Sequence, residues 1–328
     1  MEPYYNLLKL ALRSLLAAAV RLRDATFKFF TAVADTLFSL YFASCSMLPC
    51  TVDLDADSSS AATTVHFWIP GHRKSTRPAL VLIHGFGANS RWQFYYQVRH
   101  LSKHFNLYVP DLLFFGRSYS ENPDRSIEFQ AGCVAAGLRK LGLERYSVVG
   151  LSYGGYVAYR MAEVDVAAVE KVVIISSGIH YTEEQKEEQM RRIGGEGIRD
   201  LLLPKKPGDV RKMIKLALYK SRRYNLAPDF VLQGFIGISN NHKKEKLELV
   251  DHLMKKANAK PARITQETLL LWGEKDNVFP LHFAYQLQSY LGATARVEVL
   301  KDTGHGANID SPDEVNRLIT WFVSSAKS

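Results

Sequence analysis

Several features that would place this chain in a familiar class are missing from its sequence. Only three of its 328 residues are cysteines, Cys45, Cys50 and Cys133, and their odd number and spacing predict neither a disulfide framework nor a metal site. The longest uncharged run, residues 36–52, is shorter than the roughly 20 apolar residues of a transmembrane helix. A phosphate-binding P-loop is also absent, because no suitable lysine follows the glycine-rich turn at Gly85. These absences favour a reducing compartment and a chain that does not span a membrane.

Acidic residues are fewer than basic ones. The sequence has 33 Asp and Glu against 42 Lys and Arg, which gives a formal net charge of +9. No nucleic-acid-binding motif accompanies the excess, so we expect a solvated basic face, or one attracted to anionic lipid, and no nucleic-acid partner. Much of the excess forms a central basic block, which comprises Lys205, Lys206, Arg211, Lys212, Lys215, Lys220, Arg222, Arg223, Lys243, Lys244 and Lys246.

The N-terminal segment, residues 1–60, is predicted to contain an amphipathic helix between residue 4 and about residue 47. Its charged residues recur near one helical stripe and leave a broad apolar face. They are Lys9, Arg13, Arg21, Asp24, Lys28 and Asp35. A secretory signal fits poorly because Arg13 interrupts the apolar stretch. The helix is expected either to lie on a membrane surface or to pack on this protein or a partner, which points to a cytoplasmic or peripherally membrane-associated protein.

From residue 61 onward, short apolar runs alternate with polar helical stretches, which predicts a mostly parallel, eight-stranded α/β sheet with helices on both faces. We place the first part of this core at residues 61–179, an inserted helical cap at 180–263, and the second part at 264–328. Helices are expected at Ser126–Leu141 and, closing the domain, Pro312–Ser324. The predicted strands are Thr64–Ile69, Pro78–Ile83, Asn106–Pro110, Tyr146–Gly150, Lys171–Ile175, Thr268–Trp272 and Arg296–Leu300.

The pattern Gly-x-Ser-x-Gly occurs at residues 150–154, between the predicted strand at Tyr146 and a helical stretch. A nucleophilic serine needs a strained strand-to-helix turn that exposes its hydroxyl, and the two glycines remove side chains that would clash there. We therefore predict that Ser152 is a nucleophile and that residues 150–154 form a nucleophile elbow. The alternative is a glycine turn with a structural role only.

A serine hydroxyl needs a base to take its proton and an acid to orient that base. His305 and Asp276 each follow one of the last two predicted strands, so both should reach the same sheet edge as Ser152. We predict His305 as general base and Asp276 as its acid. Asp302 and Glu274 are rival acids, but Asp302 shares the histidine's loop and Glu274 sits closer to its strand.

An oxyanion hole requires two preorganised donors. We predict the backbone N–H of Tyr153, directly after the nucleophile, and that of Phe86 in the His84-Gly85-Phe86-Gly87 turn. His84, Gly85 and Gly87 are assigned to the substrate-binding turn. A structural hydrogen bond suits His84 better than a role as second base.

Three stretches resemble the α/β-hydrolase superfamily, and the similarity covers roughly residues 63–324. They are residues 80–87 (LVLIHGFG), 108–118 (YVPDLLFFGRS) and 146–155 (YSVVGLSYGG). They look most like plant members labelled monoacylglycerol-lipase-like or epoxide-hydrolase-like, and the motif layout is similar to that of bacterial carbon–carbon bond hydrolases. Epoxide hydrolases of this fold use an aspartate at the elbow, and Ser152 departs from that. The resemblance implies a cap over the active site, no cofactor and no metal.

We therefore expect a serine hydrolase, a carboxylesterase or lipase-like enzyme that cleaves an apolar acyl ester through an acyl-enzyme. Two alternatives stay open on sequence alone. A carbon–carbon bond hydrolase would need the same triad, and a small-molecule receptor could retain the fold and turn over slowly.

Overall fold

One sheet organises the protein, with the strand order β1-β2-β4-β3-β6-β7-β8-β9 and the short β5 paired to β2. The structure, a computed structural model, describes Thr26, Phe29 and residues 31–54, 62–194, 198–256 and 261–325, without the side chains of residues 223, 255 and 256. Within these residues the nine strands are β1 (Met47–Asp53), β2 (Thr63–Pro70), β3 (Ala79–Ile83), β4 (Asn106–Pro110), β5 (Tyr119–Ser120), β6 (Tyr146–Leu151), β7 (Val169–Ile175), β8 (Glu267–Gly273) and β9 (Ala295–Leu300).

The helices pack on both faces of this sheet or lie between its strands. The first, α1, covers residues 31–44 of the described chain. Those that follow in the described residues are α2 (Ser90–Leu101), α3 (Ile127–Lys140), α4 (Tyr153–Val164), α5 (Glu183–Ile193), α6 (Ile198–Leu202), α7 (Pro207–Ala217), α8 (Arg222–Asn225), α9 (Asp229–Ser239), α10 (Lys243–Lys256), α11 (His282–Leu291), α12 (Ala307–Asp310) and α13 (Pro312–Ser324).

The central strands are apolar throughout because both of their faces are covered. In β3, Val81 and Ile83 belong to the core on one face, whereas Leu80 and Leu82 belong to the core on the other. β3, β4 and β6–β9 run parallel, and β1, β2 and β5 pair antiparallel. Parallel strands buried on both sides carry such continuous apolar runs. The predicted α/β class and its mostly parallel sheet are confirmed, and the carboxyl ends of β3, β6, β8 and β9 meet at one edge.

Two strands differ from the sequence-based prediction. Residues 47–53, assigned to the N-terminal helical segment, form β1 at the sheet edge, and β5 brings the strand number to nine among the described residues instead of eight. β1 was misassigned because an edge strand has a weak pattern: four of its seven residues are exposed, and Pro49 is tolerated only where its missing N–H is not needed.

Helix α1 packs on the protein through fully buried Phe42 and an ion pair of Asp35, and it also presents apolar side chains to the outside. Asp35 accepts hydrogen bonds from the guanidinium of Arg91, whose side chain is 2% exposed. On the other side, Val33, Leu37 and Leu40 are 40%, 60% and 62% exposed. The predicted charged positions before Thr26, and Lys28, lie outside the described residues. Among the helices that the structure describes, none combines the length and apolarity needed to cross a bilayer.

Six of the described helices, α5–α10, stand between β7 and β8 and are called the inserted helices here. The residues of the basic block lie in and between these helices. The block was expected to be solvated, but Lys246 is not. Its side chain is fully buried, its Nζ donates to the carbonyl of Ser239 at 2.9 Å, and it lies 4.5 Å from the ring centre of Phe115. Burial lowers the pKa of Lys246 to about 7, against an opposing charge interaction with Asp111.

Candidate active site

Ser152 occupies a strained turn between β6 and α4. Its φ of 51° and ψ of −115° place a non-glycine residue where L side chains are rarely found. The backbone is held there because the N–H of Ser152 donates to Ile175 and its carbonyl accepts from Gly155, at 2.9 and 2.8 Å. Such local strain persists only where surrounding contacts enforce it, and it is characteristic of functional sites.

The glycines of the elbow are required by close backbone approach. A Cβ on Gly150 would lie 2.3 Å from the carbonyl oxygen of Gly154, and a Cβ on Gly154 would lie 2.3 Å from that of Ile83. Both distances are far below a normal contact. The glycines therefore let α4 begin directly against β3 and β6, as the sequence argument anticipated.

His305 lies between Ser152 and Asp276. Its Nε2 is 2.9 Å from Ser152 Oγ, and its Nδ1 is 3.1 Å from Asp276 Oδ2. The other carboxylate oxygen of Asp276 accepts the backbone N–H groups of Val278 and Phe279, both at 2.8 Å. The carboxylate is therefore fixed from both sides, and its side chain is 0% exposed against 12% for His305. The structure brings together the three side chains that sequence reasoning selected.

The rival acids lie elsewhere. Asp302 is exposed with a φ of 50°, and its N–H reaches the carboxylate of Glu274 at 3.4 Å. Glu274 forms an ion pair with Lys275 at 3.5 Å. The His305 ring thus has Asp276 as its carboxylate partner.

The two predicted oxyanion donors lie in neighbouring turns. The N–H of Tyr153 opens α4, where a helix has no internal acceptor, and within the described residues neither it nor the N–H of Phe86 donates a hydrogen bond. The Phe86 and Tyr153 rings pack edge to face, with centres 5.7 Å apart. A Cβ on Gly85 would lie 3.3 Å from Ser152 Cβ, so the turn after β3 passes directly beside the serine.

Gln93 holds that turn, and the sequence offered no sign of it. Its Oε1 accepts the N–H of Gly85 at 2.8 Å, while its Nε2 donates to the Gly85 carbonyl at 2.9 Å. The amide of Asn308, just after His305, in turn donates to the Gln93 carbonyl at 2.6 Å. Gln93 therefore connects the turn after β3, through its side chain, with helix α12 after His305, through its backbone carbonyl.

His84 stands behind the site. It is fully buried, its Nε2 accepts the N–H of Leu112 at 3.0 Å, and its Nδ1 is 2.7 Å from the Gly85 carbonyl. Because the Leu112 N–H can donate only to a ring nitrogen that carries no hydrogen, Nε2 is unprotonated and His84 is the neutral Nδ1–H tautomer. Burial lowers the pKa of His84. These contacts are the structural hydrogen bonds expected for His84, and the role of His84, Gly85 and half-buried Gly87 in substrate binding stays a prediction.

Asp111, after β4, anchors the neighbouring loop. Burial would raise its pKa, but hydrogen bonds and charge interactions with His66, His84 and Ser90 lower the pKa well below the ordinary value. Its carboxylate also accepts the N–H of Arg117 at 3.2 Å. This loop carries Phe115, whose ring packs against that of Phe86 at 5.0 Å.

The alpha/beta hydrolase fold family has a model that matches residues 78–312, which include the elbow, Asp276 and His305. The chain belongs to this family. The predicted superfamily is thereby confirmed, and with a serine at its elbow this α/β hydrolase is a serine hydrolase.

The α/β hydrolase is similar to several known proteins. Human monoacylglycerol lipase ABHD6 is 26% identical over 268 residues, which are 78% of this chain and 77% of the relative. A solved membrane phospholipase A, described as a bacterial virulence factor, shares 21% identity at a TM-score of 0.72 and covers 98% of each chain. The 2-hydroxy-6-oxo-6-phenylhexa-2,4-dienoate hydrolase of Rhodococcus sp. strain RHA1 shares 20% identity at a TM-score of 0.69, with 85% of this chain and 99% of that one covered.

Proposed function

We propose that this α/β hydrolase cleaves carboxylic esters of lipid character through a covalent acyl-enzyme. The observation that carries the proposal is the position of His305, within hydrogen-bond distance of both the strained Ser152 and the fixed carboxylate of Asp276. Nucleophile, base and orienting acid in mutual contact are the arrangement that acyl transfer requires.

In the proposed reaction, His305 Nε2 takes the proton of Ser152 Oγ as that oxygen attacks the ester carbonyl. Asp276 accepts the Nδ1–H and thereby keeps Nε2 free to act as a base. The negative charge that develops on the carbonyl oxygen is stabilised by the backbone N–H groups of Phe86 and Tyr153. His305 then protonates the departing alcohol, and water repeats the sequence to release the acid.

Lipid character is supported by apolar surfaces around the site. The aromatic rings of Phe86, Phe115 and Tyr153 pack together beside the turns of the proposed oxyanion donors, and the inserted helices, which we propose to act as a cap, include the largely apolar α9. Monoacylglycerol lipase ABHD6 and the membrane phospholipase A are lipid-ester hydrolases by name, which agrees with this substrate class.

We further propose that α1 associates peripherally with membranes. Its outward stripe of Val33, Leu37 and Leu40 suits the apolar boundary of a lipid surface, and the chain's positive charge suits anionic headgroups. Replacing Leu37 and Leu40 by serine should reduce cosedimentation with phosphatidylserine-containing vesicles. The matched change of exposed Val164 and Val166 to serine should not. Equal sedimentation of both variants would refute the role of α1.

The substrate class is tested by comparing purified wild-type protein with Ser152→Ala on monoacylglycerols, phospholipids, short p-nitrophenyl esters and a vinylogous 1,5-diketone. Turnover of the esters alone, lost in the variant, is the expected result. Turnover of the diketone alone would instead identify a carbon–carbon bond hydrolase. Tight binding without turnover of any compound would identify a receptor.

A further inference from the structure

The loop that carries His305 is enclosed between helix α12 and residues 217–220 at the end of α7. The N–H of Gly306 donates to the carbonyl of Ala217 at 2.8 Å. A Cβ on Gly304 would lie 2.7 Å from the Tyr219 nitrogen, and one on Gly306 would lie 2.5 Å from Leu218 Cδ2. Both neighbours of His305 are thus glycines because one of the inserted helices ends directly against them.

Asp310, at the end of α12, holds the two segments together. One oxygen of its carboxylate accepts the N–H of Gly304 at 2.9 Å and that of Tyr219 at 2.7 Å. The other oxygen accepts the N–H of Lys220 at 3.1 Å, and the Lys220 ammonium donates to the Asp310 carbonyl at 2.9 Å. The Asp310 residue is only 6% exposed, so its carboxylate is largely shielded from water.

We propose that Asp310 is a positioning residue that couples the inserted helices to His305 and so sets the distance between its ring and Ser152. The inference rests on the proposed function, since it assigns His305 the role of base. Its physical basis is that Gly304, one residue before the histidine, shares a single carboxylate oxygen with Tyr219 of the inserted region. Movement of residues 217–220 must therefore either carry the His305 loop along or break these charge-assisted bonds.

Asp310→Asn tests the coupling with little change in volume. An asparagine has one acceptor oxygen, so it cannot serve the three N–H groups that the two carboxylate oxygens serve now. We expect kcat on a short p-nitrophenyl ester to fall about 10- to 100-fold with KM nearly unchanged, because misplacing a reacting group by about 1 Å costs on that order. The rate of fluorophosphonate labelling should fall in parallel. Asp302→Asn, at an exposed carboxylate of the same loop, is the matched control and should behave as wild type.

A second pair of variants reports on the same coupling from the other side. Gly306→Ala should lower kcat because the added methyl group meets Leu218, and Leu218→Ala in the same molecule should restore it by making room. This rescue keeps the test decisive if Asp310→Asn fails to fold. A role in stability alone would lower the unfolding temperature while the rate per folded molecule stayed constant.

The coupling would be overturned if a folded Asp310→Asn variant were labelled and turned over substrate at wild-type rates. It would also be overturned if Leu218→Ala failed to rescue Gly306→Ala. Neither result would affect the hydrolase proposal. Failure of wild-type protein to be labelled at Ser152 would instead overturn the proposed function, and it would be seen before any variant is compared.

Discussion

Replacement of Asp276 by asparagine has an outcome that the hydrogen bonds of the carboxylate dictate. Asp276 Oδ1 accepts two backbone N–H groups, from Val278 and Phe279, so the oxygen of an asparagine must stay on that side. Its NH2 group then faces His305 Nδ1 and donates to it. That contact selects the tautomer with the proton on Nε2, which cannot accept the proton of Ser152.

The expected loss in kcat is about 10⁴-fold, equivalent to about 5 kcal/mol of transition-state stabilisation, as for other triads forced into the wrong tautomer. KM and the unfolding temperature should change little, because both backbone hydrogen bonds persist. Turnover of a short p-nitrophenyl ester and the labelling rate measure the effect. Glu274→Gln is the matched control, since this exposed acid lies two residues away without contacting the ring. Retention of more than about a tenth of wild-type kcat by Asp276→Asn, or an equal loss in Glu274→Gln, would refute the reasoning.

Three further predictions concern residues around the site. Gln93→Leu should lower kcat by about 10-fold or more, because the turn after β3 loses the two hydrogen bonds that hold a proposed oxyanion donor. Steady-state kinetics measure this effect, and a rise in KM with unchanged kcat would contradict the prediction. Lys246→Met should flatten the pH dependence of stability. The pKa of Lys246 is about 7 in the folded protein and 10.5 in the unfolded chain, so between these values only the unfolded chain holds the proton. The wild-type free energy of unfolding should therefore rise with pH across this window, by about 1.4 kcal/mol per pH unit. Urea unfolding at several pH values in this window checks the slope, and identical slopes would exclude the buried lysine as its source. Gly154→Ala should destabilise the fold by several kcal/mol, since its methyl group meets a carbonyl of β3 at 2.3 Å, whereas Gly132→Ala, with open space around it, should not; equal melting temperatures would be the contrary result.

The central sheet was predictable because its strands are covered on both faces and so read as unbroken apolar runs, as in β3 and β6. β1 was not, since four of its seven residues are exposed without a regular alternation and one of these is Pro49. Lys246 also defied prediction. Lys243 and Lys244, shortly before it in the sequence, are exposed, and only the tertiary contact with Phe115 shows that Lys246 is buried.

The site likewise contains residues that could be predicted from the sequence and others that could not. Ser152, Asp276 and His305 could be selected because each must follow a strand of a parallel sheet, and the chain order of the strands brings their ends together. Gln93 and Asp310 act by bonding backbone groups of distant loops, at Gly85 and Gly304. Such contacts leave no periodicity or motif in the sequence, so three-dimensional structure alone identifies them.

The most direct test of the account is covalent labelling with a fluorophosphonate, followed by peptide mass spectrometry of the adduct. We expect a single modified residue, Ser152, and a labelling rate that collapses in a folded His305→Ala variant. Modification at another residue, or labelling of His305→Ala at the wild-type rate, would contradict the assignment of this serine and this histidine as nucleophile and base.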